Sequence, residues 1–119
     1  MLKENQILDL SFEFALVVVD YCELLEEKRR FVISHQLLKS GTSIGANIRE
    51  AQSAESKIDF IHKMKIASKE AEETEYWLLL CKRSKSYPST DVLLEKIIVI
   101  KKILSKIIST SKNSNKLNS

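Results

Sequence analysis

The sequence predicts an all-α protein, an antiparallel up-and-down four-helix bundle, and three observations lead there. Only two glycines and one proline occur in 119 residues, where an average chain would hold roughly eight and six, so turn residues are too few for a β-sandwich or barrel. Four separate segments repeat apolar residues at steps of three and four, the spacing that stacks side chains on one helical face. The composition, 44% hydrophobic and 29% charged, is that of a globular chain, and the length suits one core.

The first helix is expected over about 7–28, where Leu10, Phe14, Val17, Val18, Tyr21, Cys22 and Leu25 form the stripe and Glu13, Asp20, Glu23, Glu26 and Glu27 lie off it. Leu16 and Val19 add apolar surface beyond that stripe, more than one core needs. The second, about 31–53, carries Leu37, Gly41, Ile44, Ile48 and Ala51. Two glycines four residues apart cost a helix about 1 kcal/mol each relative to alanine, so Gly41 and Gly45 either admit a neighbouring backbone closely or mark a break near Gly41 to Ser43. Beside the stripe runs a polar one, Gln36, Ser40, Ser43, Asn47 and Glu50, which either faces water or is buried with every group hydrogen-bonded.

Ser56 to Asp59 resembles a capping box with Asp for Glu and opens a third helix over about 57–84. Phe60, Met64, Ala67, Ala71, Thr74, Leu78 and Cys81 alternate steps of four and three without a miss. SKSYPSTD, with the only proline, is a turn. The fourth helix, about 91–110, presents Leu93, Ile97, Ile100, Leu104 and Ile107, and its isoleucines are too many in one run for a strand. Residues 111–119 lack periodicity and are expected to be disordered.

No metal, cofactor or catalytic centre is expected. A two-iron carboxylate bundle needs two Glu-x-x-His pairs, whereas Asp59 and His62 supply one such spacing and His35 has no acid at the matching position. Ser43 and Ser68 have neither a nucleophile elbow nor an evident histidine base. Cys22 and Cys81, without paired spacing, read as core thiols in a reducing cytoplasm. The opening residues do not form a secretory signal, and no apolar run approaches the roughly 20 residues that span a bilayer, so no membrane partner is expected.

Charge is graded along the chain. Residues 1–28 hold two basic and seven acidic side chains, residues 82–119 nine and two. That gradient suits head-to-tail contact between copies or a basic surface offered to nucleic acid. Candidate phosphate ligands are Arg29, Arg30, Lys39, Arg49, Lys82, Arg83, Lys85, Lys101, Lys102 and Lys106. The plainer alternative is that these side chains serve only solubility.

The stretch QLLKSGTSIGANIREA from Gln36 to Ala51, followed by IDFIHKMKIASKEAEETEYWLLLCKRS, resembles the bacterial four-helix bundle family encoded in intervening sequences of large-subunit ribosomal RNA genes. That family is related to the accessory variability determinant of diversity-generating retroelements. The likeness spans Ser11 to Ile108, and its signature falls on Gln36, Gly41, Ser43, Gly45, Asn47, Ile48 and Glu50. It implies a bundle assembling as a homopentameric ring, with a basic surface for RNA or DNA and, in the retroelement relatives, a reverse transcriptase partner. Together these readings point to a non-catalytic oligomeric scaffold that binds nucleic acid, the rival being a protein-interaction module with no such binding.

Overall fold

Four helices follow in order in the computed structural model: α1 (Leu2–Glu27), α2 (Phe31–Ala51), α3 (Lys57–Arg83) and α4 (Asp91–Asn118). The structure describes residues 2–118, with side chains described for 6–114. Helix α1 packs on α2 and α4, and α3 packs on the same two, and among the described residues no Cα atoms come within 8 Å across either diagonal. The result is a square rod, 53 × 21 × 21 Å, whose successive helices are antiparallel neighbours.

Each helix buries a seam with unbroken three-four alternation. In α1 it is Ile7, Ser11, Phe14, Val18, Tyr21 and Leu25; in α2, Ser34, Leu37, Gly41, Ile44, Ile48 and Ala51. In α3 the seam runs Met64, Ala67, Ala71, Thr74, Leu78 and Cys81, and in α4 Leu93, Ile97, Ile100, Leu104 and Ile107. Four seams of this kind close on one core, because a heptad-like repeat keeps each stripe facing its partners along the whole length. Leu10 and Val17, expected in the first stripe, are half-buried, and Ser11 takes the central place instead.

The second helix is unbroken through Gly41 and Gly45. Both glycines face α1. A Cβ on Gly41 would lie 2.9 Å from a methyl carbon of Val18, and one on Gly45 would lie 3.3 Å from the Ser11 hydroxyl and 3.5 Å from its carbonyl oxygen. Above this contact the Cys22 thiol donates to the Ser34 carbonyl at 3.4 Å, and the Ser34 hydroxyl lies 3.2 Å from the Cys22 carbonyl.

Ser56 caps α3, accepting from the Asp59 amide at 3.0 Å. Asp59 returns a bond one residue further out than a capping box would, accepting from the Glu55 amide at 3.2 Å. The fourth helix corrects the expected tail: it continues past Thr110, the end that apolar spacing predicts, to Asn118, and Ser119 lies outside the described residues. The seam simply goes on with serines. Ser111 and Ser114 are half-buried at the next two heptad positions, and Lys57 donates to the Ser114 hydroxyl at 3.0 Å, fastening this end of α4 to the start of α3.

The two glycines should respond differently to alanine. Gly41→Ala gains about 1 kcal/mol of helix propensity but pushes into a β-branched core side chain, an overpacking cost of roughly 1–3 kcal/mol, so its melting temperature should fall by several degrees. Gly45→Ala meets a hydroxyl that has only to give by a few tenths of an ångström, and its melting temperature should hold or rise. Thermal melts of both variants check this; equal values would mean that α1 does not approach Gly41 so closely.

Candidate nucleic-acid interface

Antiparallel topology brings the α1–α2 and α3–α4 connections to the same end of the rod. Five of the ten candidate cations meet there: Arg29 and Arg30 from the first connection, Lys82 and Arg83 from the last turn of α3, and Lys85 from the second connection. All five are exposed. The two basic residues closing α3 sit favourably at the negative end of its dipole.

This end is held in shape from inside. The Tyr21 hydroxyl donates to the Pro88 carbonyl at 2.8 Å, and the Arg30 guanidinium stacks 5.1 Å from the centre of the Tyr87 ring, so each connection is fastened to the other half of the bundle. Arg29 has φ 62°, a left-handed conformation that glycine usually takes. Its amide bonds to the Glu26 carbonyl at 2.9 Å and the Arg30 amide to the Leu25 carbonyl at 2.8 Å, the paired closure of a Schellman motif. The next helix begins at once and has neither a side-chain cap nor an acid of its own in its first turn. Glu23, Glu26 and Glu27 come to the same end on α1, and Glu26 is engaged by the Ser34 hydroxyl at 3.4 Å.

The other five cations are dispersed. Lys101 bridges to α3, its Nζ 2.6 Å from Glu75 and 2.7 Å from Glu72, and those two hydrogen bonds raise its pKa. Lys102 and Lys106 are exposed on α4, while Lys39 and Arg49 lie on opposite flanks of α2. Lys39 stands near Glu70, whose own pKa is raised first by burial and then by Glu73.

The signature residues are not one site either. Gly41, Gly45 and Ile48 serve packing. The polar stripe of α2 lies along α3, but only Ser40 is fully buried, its hydroxyl 2.9 Å from that of Thr74, which in turn donates to the Glu70 carbonyl at 2.7 Å. Glu50 lies 3.7 Å from Lys63 of α3. Ser43 donates to the Lys39 carbonyl at 2.6 Å and Asn47 to the Ser43 carbonyl at 2.8 Å, both within the helix, and Gln36 is exposed.

One surface feature is not foreshadowed by the core stripes. A shallow groove of about 930 Å³ runs outside the α1–α2 contact, lined by Leu8, Phe12, Ala15, Thr42, Ala46 and Arg49 among others. Phe12, absent from the expected stripe, is 61% exposed at its rim. The signal for it in the sequence is Phe12 to Leu16, a four-residue step off the core face.

The buried thiols offer no reactive chemistry. Burial pushes Cys22 up to about 11 and raises Cys81 as well, so both stay protonated at neutral pH. They stand on diagonal helices whose Cα atoms nowhere come within 8 Å, beyond the roughly 4.4–6.8 Å that a disulfide spans. His35 and His62 are exposed on different helices, and among the described residues no group of three or more His, Cys, Asp or Glu side chains gathers. No described helix is long and apolar enough to cross a membrane.

Residues 3–106 match the family described as 23S rRNA-intervening sequence protein. Among solved structures, the chain is similar to a crystal structure of a protein of unknown function from the S23 ribosomal protein family of Bacteroides thetaiotaomicron, with 47% identity, a TM-score of 0.84, and coverage of 90% of this chain and 98% of that one. No curated protein matches the chain.

Burial separates two neighbours on the polar stripe. Ser40→Ala removes a buried hydroxyl from its partner and should cost about 1 kcal/mol, less than the full penalty because Thr74 keeps its bond to Glu70. Asn47→Ala loses only a bond within its own helix at a partly exposed position and should stay within about 0.5 kcal/mol of the parent. Urea melts of the two variants decide; a larger loss at Asn47 would place that amide in a contact between chains.

Proposed function

The chain belongs to the 23S rRNA-intervening sequence protein family, and from that premise we propose that it is a non-catalytic, self-associating helical scaffold that binds nucleic acid through its basic loop end. The observation that carries the reading is the meeting of Arg29, Arg30, Lys82, Arg83 and Lys85 at one end of a rigid rod. Cations on exposed, backbone-fastened turns suit phosphate contact, which is electrostatic and weakly selective. Self-association draws its support from Phe12, Leu16, Ile98 and Val99, large apolar side chains left exposed on α1 and α4; five copies is the number the family resemblance implies. A ring would repeat the basic end around its axis and gain avidity by engaging several phosphates at once. The setting proposed is the cytoplasm, in keeping with two unpaired thiols.

The Phe12 groove favours a second reading, an interaction module whose partner is a protein such as a reverse transcriptase, with no direct contact to nucleic acid. Titration of labelled RNA and duplex DNA across a salt series separates the two. The parent should bind with a falling log affinity against log salt, and removing one phosphate-binding cation should flatten the slope by about 0.9 on duplex DNA or about 0.7 on a single strand. Changing Arg29, Lys82, Arg83 and Lys85 to glutamine should flatten it, whereas Lys101→Gln should not, since Glu72 and Glu75 already hold that charge. No binding by the parent at low salt would leave the protein-partner reading.

Light scattering tests the assembly. The mass should be a multiple of the 13.6 kDa chain, fivefold for a pentamer; a monodisperse monomer would remove self-association from the proposal.

A further inference from the structure

The loop end carries aromatic rings as well as cations. Three aromatic side chains are more than half exposed: Phe12 at 61%, Tyr76 at 58% and Phe31 at 53%. The first stands with Asp9 and Glu13, the second with Glu72 and Glu73. Phe31 alone follows cations, Arg29 and Arg30, and it opens α2 at the end where Lys82, Arg83 and Lys85 gather. The two connections there, residues 28–30 and 84–90, hold four cations and no acid. The acids that reach this end, Glu23, Glu26 and Glu27 on α1 and Asp91 on α4, stand on the helices. Tyr87 is half-buried and taken up by the Arg30 guanidinium, 5.1 Å from its ring centre, whereas Phe31 has no ring or cation partner among the described residues.

We propose that the loop end takes a single-stranded nucleic acid, an unpaired base stacking on the Phe31 ring while the adjacent phosphates meet the cations of the turns. The inference rests on the nucleic-acid binding proposed above and assigns the form of the ligand. Phosphates alone do not tell a strand from a duplex, since both carry them on the outside. Base faces do. In a duplex they are covered by neighbouring pairs, and in a single strand they are open to an aromatic ring, whatever the base. The ring is also held ready for such a contact. The Arg30 amide bonds to the Leu25 carbonyl at 2.8 Å and the Ser34 amide to the Arg30 carbonyl at 3.1 Å, so the backbone on both sides of Phe31 is fixed and stacking orders little besides the ligand. Tyr87 acts one step back, keeping the Arg30 guanidinium in place beside the ring that meets the base.

Removing the bases from the ligand and the ring from the protein tests the stacking. Fluorescence anisotropy at low salt compares a labelled single strand, made as RNA and as DNA, with a blunt duplex of the same length and with an abasic DNA strand that keeps every phosphate. The parent should bind the strand at least about tenfold more tightly than its abasic form, and tighter binding of either sugar names the source of the strand. Phe31→Ala, shown to be helical by circular dichroism, should lose about five- to a hundredfold in strand affinity. It should keep its duplex affinity and its slope against salt, because a stacked ring releases no counterion, and Phe31→Trp should restore strand binding. A parent that binds the strand and its abasic form equally would overturn the inference and leave phosphate binding standing. So would Phe31→Ala keeping its strand affinity, or losing strand and duplex alike. A parent that binds none of these probes would overturn both.

Discussion

The approach of α1 to α2 at Gly41 governs the geometry around it. A methyl carbon of Val18 lies 2.9 Å from where a Cβ would stand, so a larger residue there would force the two helices apart. Close packing at that point carries upward to the reciprocal bonds of Cys22 and Ser34, and from there to the turn. Only three residues, 28–30, join the two helices. A connection that short needs helix ends already side by side, and it gets them by putting Arg29 in a left-handed conformation. The exposed guanidinium at the loop end is thus placed by contacts made more than a turn below it.

The same close approach shapes the outside of the molecule. With Ser11, Gly45 and Ala15 at the helix junction, α1 and α2 have little bulk between them, and the larger side chains Leu8 and Phe12 stand at the edges of the resulting groove. Apolar surface that would otherwise have filled the seam is left facing out. A small-residue contact on the inside and an unpartnered apolar strip on the outside are two results of one sequence choice on the same pair of helices.

Most of the architecture is legible because it is written in apolar periodicity. Four stripes, short connections and the Ser56 cap all stand where spacing puts them, apart from a residue or two at helix ends and the early start of α1. What the pattern misses are seam positions occupied by hydroxyls. Ser11, Ser34, Ser111 and Ser114 keep the heptad step but not its hydropathy, so apolar spacing ends the fourth helix too soon and passes over a central residue of the first. Small hydroxyl groups can fill such places by returning a hydrogen bond to their own helix, as Ser11 does to the Leu8 carbonyl at 3.1 Å. The candidate site is legible as a set of residue types and not as a place. Arg30, Lys82 and Lys101 look alike in the sequence; only the fold shows that the first stacks on Tyr87, the second stands exposed at a shared end, and the third is occupied by two glutamates.

The square arrangement also orders the way this chain can fold. Three of its four sides join helices adjacent in sequence through connections of a few residues, so each hairpin forms from local contacts. The fourth side, α1 against α4, unites the two ends of the chain, and in an unfolded chain closing so long a loop costs about 2 kcal/mol more than closing a short turn. It becomes inexpensive only after the intervening hairpins have drawn the ends together. The first and last helices of the bundle are therefore the last pair to meet, and until they do, α1 and α4 each hold open an apolar edge that the finished bundle covers.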